Sequence, residues 1–187
     1  MSRLILSCSL ALAASACGPD GPLVYSDPPA GALRLVKNPK ATPKAMKLDL
    51  VVGDAALTGY STGFNLPLDT TKVTLGPFTP GTALDPGSAP TAAAAVIPTQ
   101  GPLAGTLVIA QSQKASGAGA VATDTMLAPR TVLFTIELDV VEPLVGGVVF
   151  DGTAKSFILA SGGLRNKAGL MVVDPSGVKI GKLEVSP

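Results

Sequence analysis

Two acidic side chains, Glu137 and Asp139, are spaced so that they could act together. They lie two positions apart in the run TVLFTIELDVV, so in a β-strand both project from the same face. A pair of neighbouring carboxylates can supply the acid and the base of a glycosidase. Two like charges on an outward strand face more often form a solvated surface that keeps the sheet soluble. We therefore expect no catalytic residues here, and a protein that is not an enzyme.

Three further aspartates precede proline or glycine, in Asp85-Pro86, Asp151-Gly152 and Asp174-Pro175. Carboxylates of this kind could contribute to a calcium site. Aspartate in such pairs more often closes a turn through hydrogen bonds to its own neighbouring residues. The chain also has no D-x-[DN]-x-[DN]-G run of the calcium-loop type. We therefore expect turns at these positions, and neither a metal nor another cofactor.

The composition removes several other chemistries. The 187 residues include no histidine and no tryptophan. A Ser-His-Asp nucleophile is therefore excluded, and the commonest metal ligand is missing. Tyr60 is a candidate for stacking on a sugar ring, but a sugar platform typically needs several exposed aromatic side chains and the chain has only two tyrosines. The formal net charge of +1 offers no electrostatic basis for a nucleic-acid partner.

The amino-terminal run MSRLILSCSLALAASACGPDGP gives Cys17 a distinct position. A positive Arg3 precedes a short apolar stretch that ends in small residues, which is typical of a secretory signal and too short to span a membrane comfortably. Residues 14–17, ASAC, resemble the lipobox of bacterial lipoproteins, although its usual first leucine is replaced by Ala14. In that family a diacylglycerol is attached to the cysteine sulfur and cleavage occurs just before it. Ordinary signal-peptide cleavage after Ala16 is the alternative.

Removal of residues 1–16 would leave Cys17 as the only cysteine, so no intramolecular disulfide or cysteine metal cluster would remain. The next stretch, GPDGPLVYSDPPA, is rich in proline and glycine and predicts an extended tether. The resemblance implies lipid attachment at Cys17. Because Gly18 stands where many inner-membrane lipoproteins carry aspartate, it also implies anchoring to the outer membrane. We expect a signal peptide over 1–16, a lipidated tether over 17–30 and one domain over 31–187.

The rest of the chain contains windows with the period of two that indicates β-strands with one buried face. In the strongest, Val132, Phe134, Ile136, Leu138 and Val140 share one face. The predicted strands are 32–37, 46–52, 59–68, 72–78, 105–113, 131–141, 146–152, 155–161 and 178–185. In the last of these, the apolar positions change parity across Gly181, which predicts a β-bulge there.

Turn residues separate these windows, at 85–87, 161–163 and 174–177, and no window has sustained helical periodicity. The run TAAAAVIP (91–98) is ambiguous between helix and strand, because alanine favours a helix and the Val-Ile-Pro ending favours an extended chain. We predict an all-β fold: a two-sheet antiparallel β-sandwich of about eight or nine strands.

The order of segments over residues 32–186 resembles the cohesin-like domains, whose jelly-roll sandwich is related to certain carbohydrate-binding modules. In ALTGYSTGFNLPLDTTKVTLGPFTPGTAL, a strand with Phe64 and Leu66 leads to a turn at Asp69 and then to a strand with Val73 and Leu75. Only Asp69 matches the family's Tyr-Asp-Pro turn. The later runs TVLFTIELDVV and VKIGKLEV are similar to its middle and closing strands. The resemblance implies that 91–97 is a strand paired with 105–113.

Cohesins bind dockerin modules through one sheet face, and related modules bind polysaccharide. The resemblance therefore implies a lipid-anchored envelope protein that binds a protein partner, either dockerin-like or another envelope protein. A carbohydrate-binding lipoprotein of the same fold is the alternative, and a structural envelope component without a discrete ligand is a third. No residue of the ligand-binding surface can be assigned from the sequence. The membrane side also stays open.

Overall fold

The computed structural model describes residues 22–85, 91–113, 123–155, 157, 159 and 161–186. Cys17 and the signal peptide lie outside the described residues. The described part contains fifteen strands, one 3-10 helical turn at Pro175–Gly177 and no α-helix. The strands are β1 Leu23–Ser26, β2 Leu33–Lys37, β3 Ala45–Val52, β4 Leu57–Gly59, β5 Ser61–Pro67, β6 Val73–Pro80, β7 Thr91–Val96, β8 Thr106–Gln113, β9 Thr125–Leu127, β10 Val132–Val140, β11 Gly147–Asp151, β12 Gly162–Arg165, β13 Met171–Val173, β14 Val178–Ile180 and β15 Lys182–Val185.

Most of the strands form two five-stranded sheets. The first sheet has the order β14-β2-β3-β10-β6, and the second has the order β13-β12-β5-β8-β7. Their inner faces share one hydrophobic core, in which the ring of Phe134 from the first sheet lies 5.8 Å from that of Phe64 in the second and 5.6 Å from that of Phe78. The predicted all-β sandwich is confirmed. The predicted count of eight or nine strands is too low, because short strands form two additional small sheets, β1-β15-β11 and β4-β9.

The period of two in the sequence becomes a division between inside and outside in the longer strands. In β5 and β8 alternate residues are buried, as the alternating apolar pattern predicts. In β10 the alternation fails at its start: Leu133 and Phe134 are both fully buried, whereas Val132 is 40% exposed. The pairing of β10 with β3 shifts between Val132 and Phe134, and this β-bulge turns two consecutive side chains inward.

The strand predicted over 178–185 is divided at Gly181. β14 pairs with β2 in the first sheet, and β15 pairs with β1 and β11 in the small sheet. The predicted single strand with a β-bulge is therefore wrong: the change of sheet at Gly181, rather than a bulge, lets apolar side chains on both sides of it be buried. The Tyr25 hydroxyl donates to the carbonyl oxygen of Leu35 at 2.6 Å and accepts from the Gly181 N–H at 3.0 Å, so it links the two sheets where the chain changes between them.

The amino-terminal strand β1 corrects the predicted tether over 17–30. Leu23 and Tyr25 are buried, and β1 is antiparallel to β15. The run LVYS has only two inward positions, which is too short for its period to stand out among the surrounding prolines. The folded domain therefore begins near residue 23 rather than residue 31.

Three other local predictions can be compared with the structure. The interpretation of 91–97 as a strand paired with 105–113 is confirmed, since β7 runs antiparallel to β8. The strand predicted over 155–161 is wrong at the described positions 157 and 159, which lie in irregular chain. The turn predicted at 161–163 is also wrong, because Gly162 and Gly163 belong to β12 and pair with β5. The sandwich is not wholly antiparallel either, since β14 and β2 run parallel.

Candidate functional site

A shallow trough crosses the outer face of the second sheet. At its floor one residue from each of four neighbouring strands lies side by side: Gly163 on β12, Gly63 on β5, Ala110 on β8 and Ala94 on β7. No side chain on this row, which we call the bare row, is larger than a methyl group. The depression over it has a volume of ≈ 630 Å³.

Somewhat larger side chains stand on both sides of the bare row. One flanking row pairs Arg165 with Ser61, Ser61 with Ser112 and Ser112 with Ala92. The other flanking row pairs Asn65 with Val108 and Val108 with Val96, and the Asn65 N–H donates to the Ser161 carbonyl at 3.2 Å. The trough thus has an apolar floor and sides that carry hydroxyl and amide groups.

Backbone geometry keeps the floor of the trough bare. A Cβ at Gly63 would collide with the carbonyl oxygen of Ile109 on β8, and a Cβ at Gly163 would collide with the carbonyl oxygen of Val173. Gly163 also has a φ of 116°, a conformation that favours glycine. Both glycines therefore allow strands to approach closely.

The trough is nearly free of charge. Arg165 is the only charged side chain among its lining residues, and its Nη1 donates to the Gly169 carbonyl at 2.8 Å. The one aromatic residue in the lining, Phe64, is 2% exposed because its ring points into the core. The site can therefore offer methyl groups, hydroxyls, an amide and one guanidinium to a ligand, but no aromatic platform.

The predicted pair Glu137 and Asp139 lies on the outer face of the first sheet, whereas the trough is on the second sheet. Both side chains are half-buried rather than freely solvated. The Lys47 Nζ is 3.0 Å from Glu137 Oε2, across the register of β3 and β10. Burial and the neighbouring Glu137 charge raise the pKa of Asp139, and Lys47 opposes this effect. The two carboxylates thus share an outer face as expected from the sequence, but they are half-buried rather than solvated, and Glu137 is paired with Lys47.

A third carboxylate, Asp49, belongs to the same face and was not singled out from the sequence. It is buried, accepts from Asn38 Nδ2 at 2.9 and 2.8 Å, and accepts from Thr135 Oγ1 at 2.6 Å. Neither the trough nor a second cavity near Phe157 and Lys179 is lined by these acidic residues.

Two of the three aspartates considered for calcium, Asp151 and Asp174, behave as turn residues. Asp151 Oδ1 accepts from the N–H and hydroxyl of Thr153, and Asp174 Oδ1 accepts from the Gly177 N–H and the Ser176 hydroxyl. These bonds lower the pKa of both carboxyls. Asp85 is described, but the Pro86 and Gly87 of its predicted turn lie outside the described residues. No group of three potential metal ligands occurs in the described part of the chain.

Tyr60, the candidate for sugar stacking, is half-buried and does not line the trough. Its hydroxyl points back to the carbonyl oxygen of Gln113, at 3.5 Å. The trough itself was missed because its floor consists of glycine and alanine, which carry no chemical signal in a single sequence. Only the strand pairing brings these four residues into one row.

Comparison with family models, curated proteins and solved structures finds no match for this chain. Its class is that of an all-β sandwich. Within the described residues no helix has the length and apolar character that a membrane crossing requires. Function is therefore inferred from the outer faces of the two sheets and from the amino-terminal sequence.

Proposed function

We propose that this protein is a non-catalytic binding module, and that it holds a polypeptide segment of an envelope protein in the trough of the second sheet. The trough is the observation that carries the proposal, because it is an open depression of ≈ 630 Å³ on the outer face of a five-stranded sheet. Affinity would come from shape complementarity and burial of the bare row, with the hydroxyl and amide groups at the sides fixing the position of the ligand.

A polypeptide suits the chemistry of this surface better than a polysaccharide. The floor is apolar and has no exposed aromatic ring on which a sugar could stack. The single cation, Arg165, favours a ligand with an acidic group at that end of the trough. Carbohydrate binding remains the second candidate because the flanking rows carry hydroxyl and amide groups, which hydrogen-bond well to sugars.

The proposal includes attachment of the module to the bacterial outer membrane through a lipid on Cys17. Its support is the ASAC sequence, and the resemblance of the sequence to cohesin-like domains suggests protein binding by analogy. Mass spectrometry of the amino-terminal peptide from the native producer tests the anchor. A mature chain that starts at Cys17 with diacylglycerol on sulfur is expected. An unmodified thiol, or a different first residue, would reject it.

The trough can be blocked without disturbing the core. Ala110 is exposed on the bare row, so Ala110→Phe places a ring in the trough. Thr74→Phe is the matched control, because Thr74 is exposed on the outer face of β6 in the first sheet. Each variant is immobilised with the wild type and exposed to envelope extract and to a glycan array.

We expect one protein to be retained by the wild type and by Thr74→Phe, and to be lost from Ala110→Phe. Retention by all three proteins would mean that the trough is not the binding site. A glycan that is lost only from Ala110→Phe would instead establish the carbohydrate alternative. Far-UV circular dichroism and thermal unfolding of all three proteins exclude an effect of misfolding.

A further inference from the structure

Strand β7 is an edge of the second sheet that lacks the usual protection. Within the described residues, which exclude 86–90 and 114–122, it pairs with β8 on one side only, so alternate backbone N–H and C=O groups point away from the sheet. Its sequence, TAAAAV, contains no charge, proline or glycine. Ala92, Ala93 and Ala94 are exposed, and Val96 is 50% exposed.

The other edge strands of the described part differ from β7 in ways that oppose pairing. Strand β6 contains Pro77 and Pro80, and its register with β10 shifts. Strand β11 begins at Gly147, shifts its register with β15 and ends at Asp151. The remaining edges, β1, β4, β9, β13 and β14, have four residues or fewer. Short strands, prolines and bulges are the common means of preventing edge-to-edge association.

On the side of the sandwich where β7 approaches β6, apolar side chains stay partly exposed. Ala93 faces the inner side of the sheet yet is exposed, and the neighbouring Ala95 is only partly buried against the core. On the opposing edge strand, Leu75 and Phe78 are partly buried in the same way. An additional strand beside β7 would cover apolar surface in this region as well as satisfy the backbone groups of its edge.

We propose that β7 pairs antiparallel with β7 of a second copy of this chain, so that the two second sheets join into one ten-stranded sheet. An edge built for a foreign peptide usually offers side-chain pockets for specificity, whereas β7 offers mainly methyl groups. Consecutive alanines can face themselves across a twofold axis without steric conflict. The net charge of +1 also leaves little repulsion between copies.

A register centred on Ala94 places this residue opposite the partner's Ala94, and Ala92 opposite Val96 of the partner subunit. Because a twofold axis perpendicular to the sheet keeps each face on its own side, the two bare rows would become one continuous row. The dimer does not depend on the proposed ligand of the trough, and it goes beyond the proposed function by doubling that surface.

The test places opposite charges at residue 94 in two variants and measures dimer formation by sedimentation velocity. The full chain is used, with Cys8 and Cys17 replaced by alanine so that disulfide-linked dimers cannot form. The wild-type edge is expected to give a dimer. Ala94→Glu and Ala94→Lys each place like charges together across the axis, and each is expected to raise the dimer Kd by at least about tenfold. An equimolar mixture of the two variants is expected to recover the dimer as a heterodimer.

Val172→Glu is the matched control, because Val172 is 40% exposed on β13 at the opposite edge of the same sheet. It is expected to leave the dimer unchanged. The proposal would be overturned if the protein with the wild-type β7 stays monomeric up to about 1 mM. It would also be overturned if the Ala94→Glu variant still forms the dimer. Recovery in the mixture also shows that both charged variants are folded, and thermal unfolding of each variant checks this independently.

Discussion

The outer faces of the two five-stranded sheets differ in what occupies their central positions. In the first sheet, Lys47 and Glu137 form a cross-strand ion pair, and the neighbouring Asp49 accepts three hydrogen bonds. In the second sheet the centre is the bare row, where Gly63 and Ala110 face each other. The first face pairs Glu137 with Lys47 and Asp49 with Asn38 and Thr135, whereas the second leaves apolar surface uncovered.

This difference indicates which face is available to a partner. A ligand on the first face would have to displace or desolvate charges that are already paired, which is costly. A ligand on the second face meets methyl groups and backbone, with hydroxyls at the sides. Both inner faces are mainly apolar, although that of the second sheet also carries the buried polar residues Thr62, Gln111 and Gln113. Substitutions at equivalent positions of the two sheets test this difference between their faces.

The largest expected effect tests whether the inner faces are equivalent. Leu48 on β3 and Leu66 on β5 are both fully buried, one in each sheet. Leu48→Ala and Leu66→Ala are each expected to lower the free energy of unfolding by about 2–5 kcal/mol, because each removes buried methyl groups and leaves a cavity. Urea denaturation measures both. A much smaller loss in one sheet would mean that its core side repacks easily and that the sheets are not equivalent.

An intermediate effect separates the two outer faces. Gly63→Ala drives a methyl group against backbone, and we expect it to lower the free energy of unfolding by about 1–3 kcal/mol. Gly76 on β6 is the matched position, since a methyl group there meets the side chains of Asp139 and Glu137, which can move. Gly76→Ala is therefore expected to stay within about 1 kcal/mol of the wild type. Equal losses would show that the bare row is not fixed by its backbone.

The smallest effect is a pH dependence of opposite sign at two aspartates. A hydrogen bond from Lys72 lowers the pKa of Asp69 to about 2, from an ordinary value of 3.8. Asp69 therefore stabilises the fold above pH 3.8, and this contribution is lost as the pH falls towards 2. The raised pKa of Asp139 has the reverse consequence: its contribution becomes unfavourable as the pH rises from 3.8 through the folded-state pKa.

Asp69→Asn is accordingly expected to destabilise the protein at pH 7, and Asp139→Asn to stabilise it. Each change should be within about 1 kcal/mol, because both groups are only partly buried and solvent screens their interactions. Below the ordinary pKa the Asp139→Asn difference should disappear first, and that of Asp69→Asn only near pH 2. Urea titrations at a series of pH values measure both. Shifts of the same sign would contradict the assignment.

The sequence predicted the sandwich because its long strands bury one face, and alternation is visible in runs such as those of β5 and β8. The prediction failed where tertiary contacts determine which residues are buried or paired. The β10 bulge buries Leu133 out of phase, and Gly162-Gly163 continues a strand because close neighbours require glycine there. The trough could not be predicted for a related reason. Its residues become adjacent only through pairing across four strands, and no local sequence pattern indicates that pairing.

The position of β1 sets how far the domain can stand from a membrane. The Pro22 carbonyl accepts from the Ser186 N–H and Leu23 is paired with Val185, so an anchor on Cys17 would lie within five residues of the folded domain. Five residues span at most about 18 Å when fully extended. A domain attached through so short a segment would stay close to the lipid headgroups. A force on the anchor would act first on the hydrogen bonds that join β1 to β15.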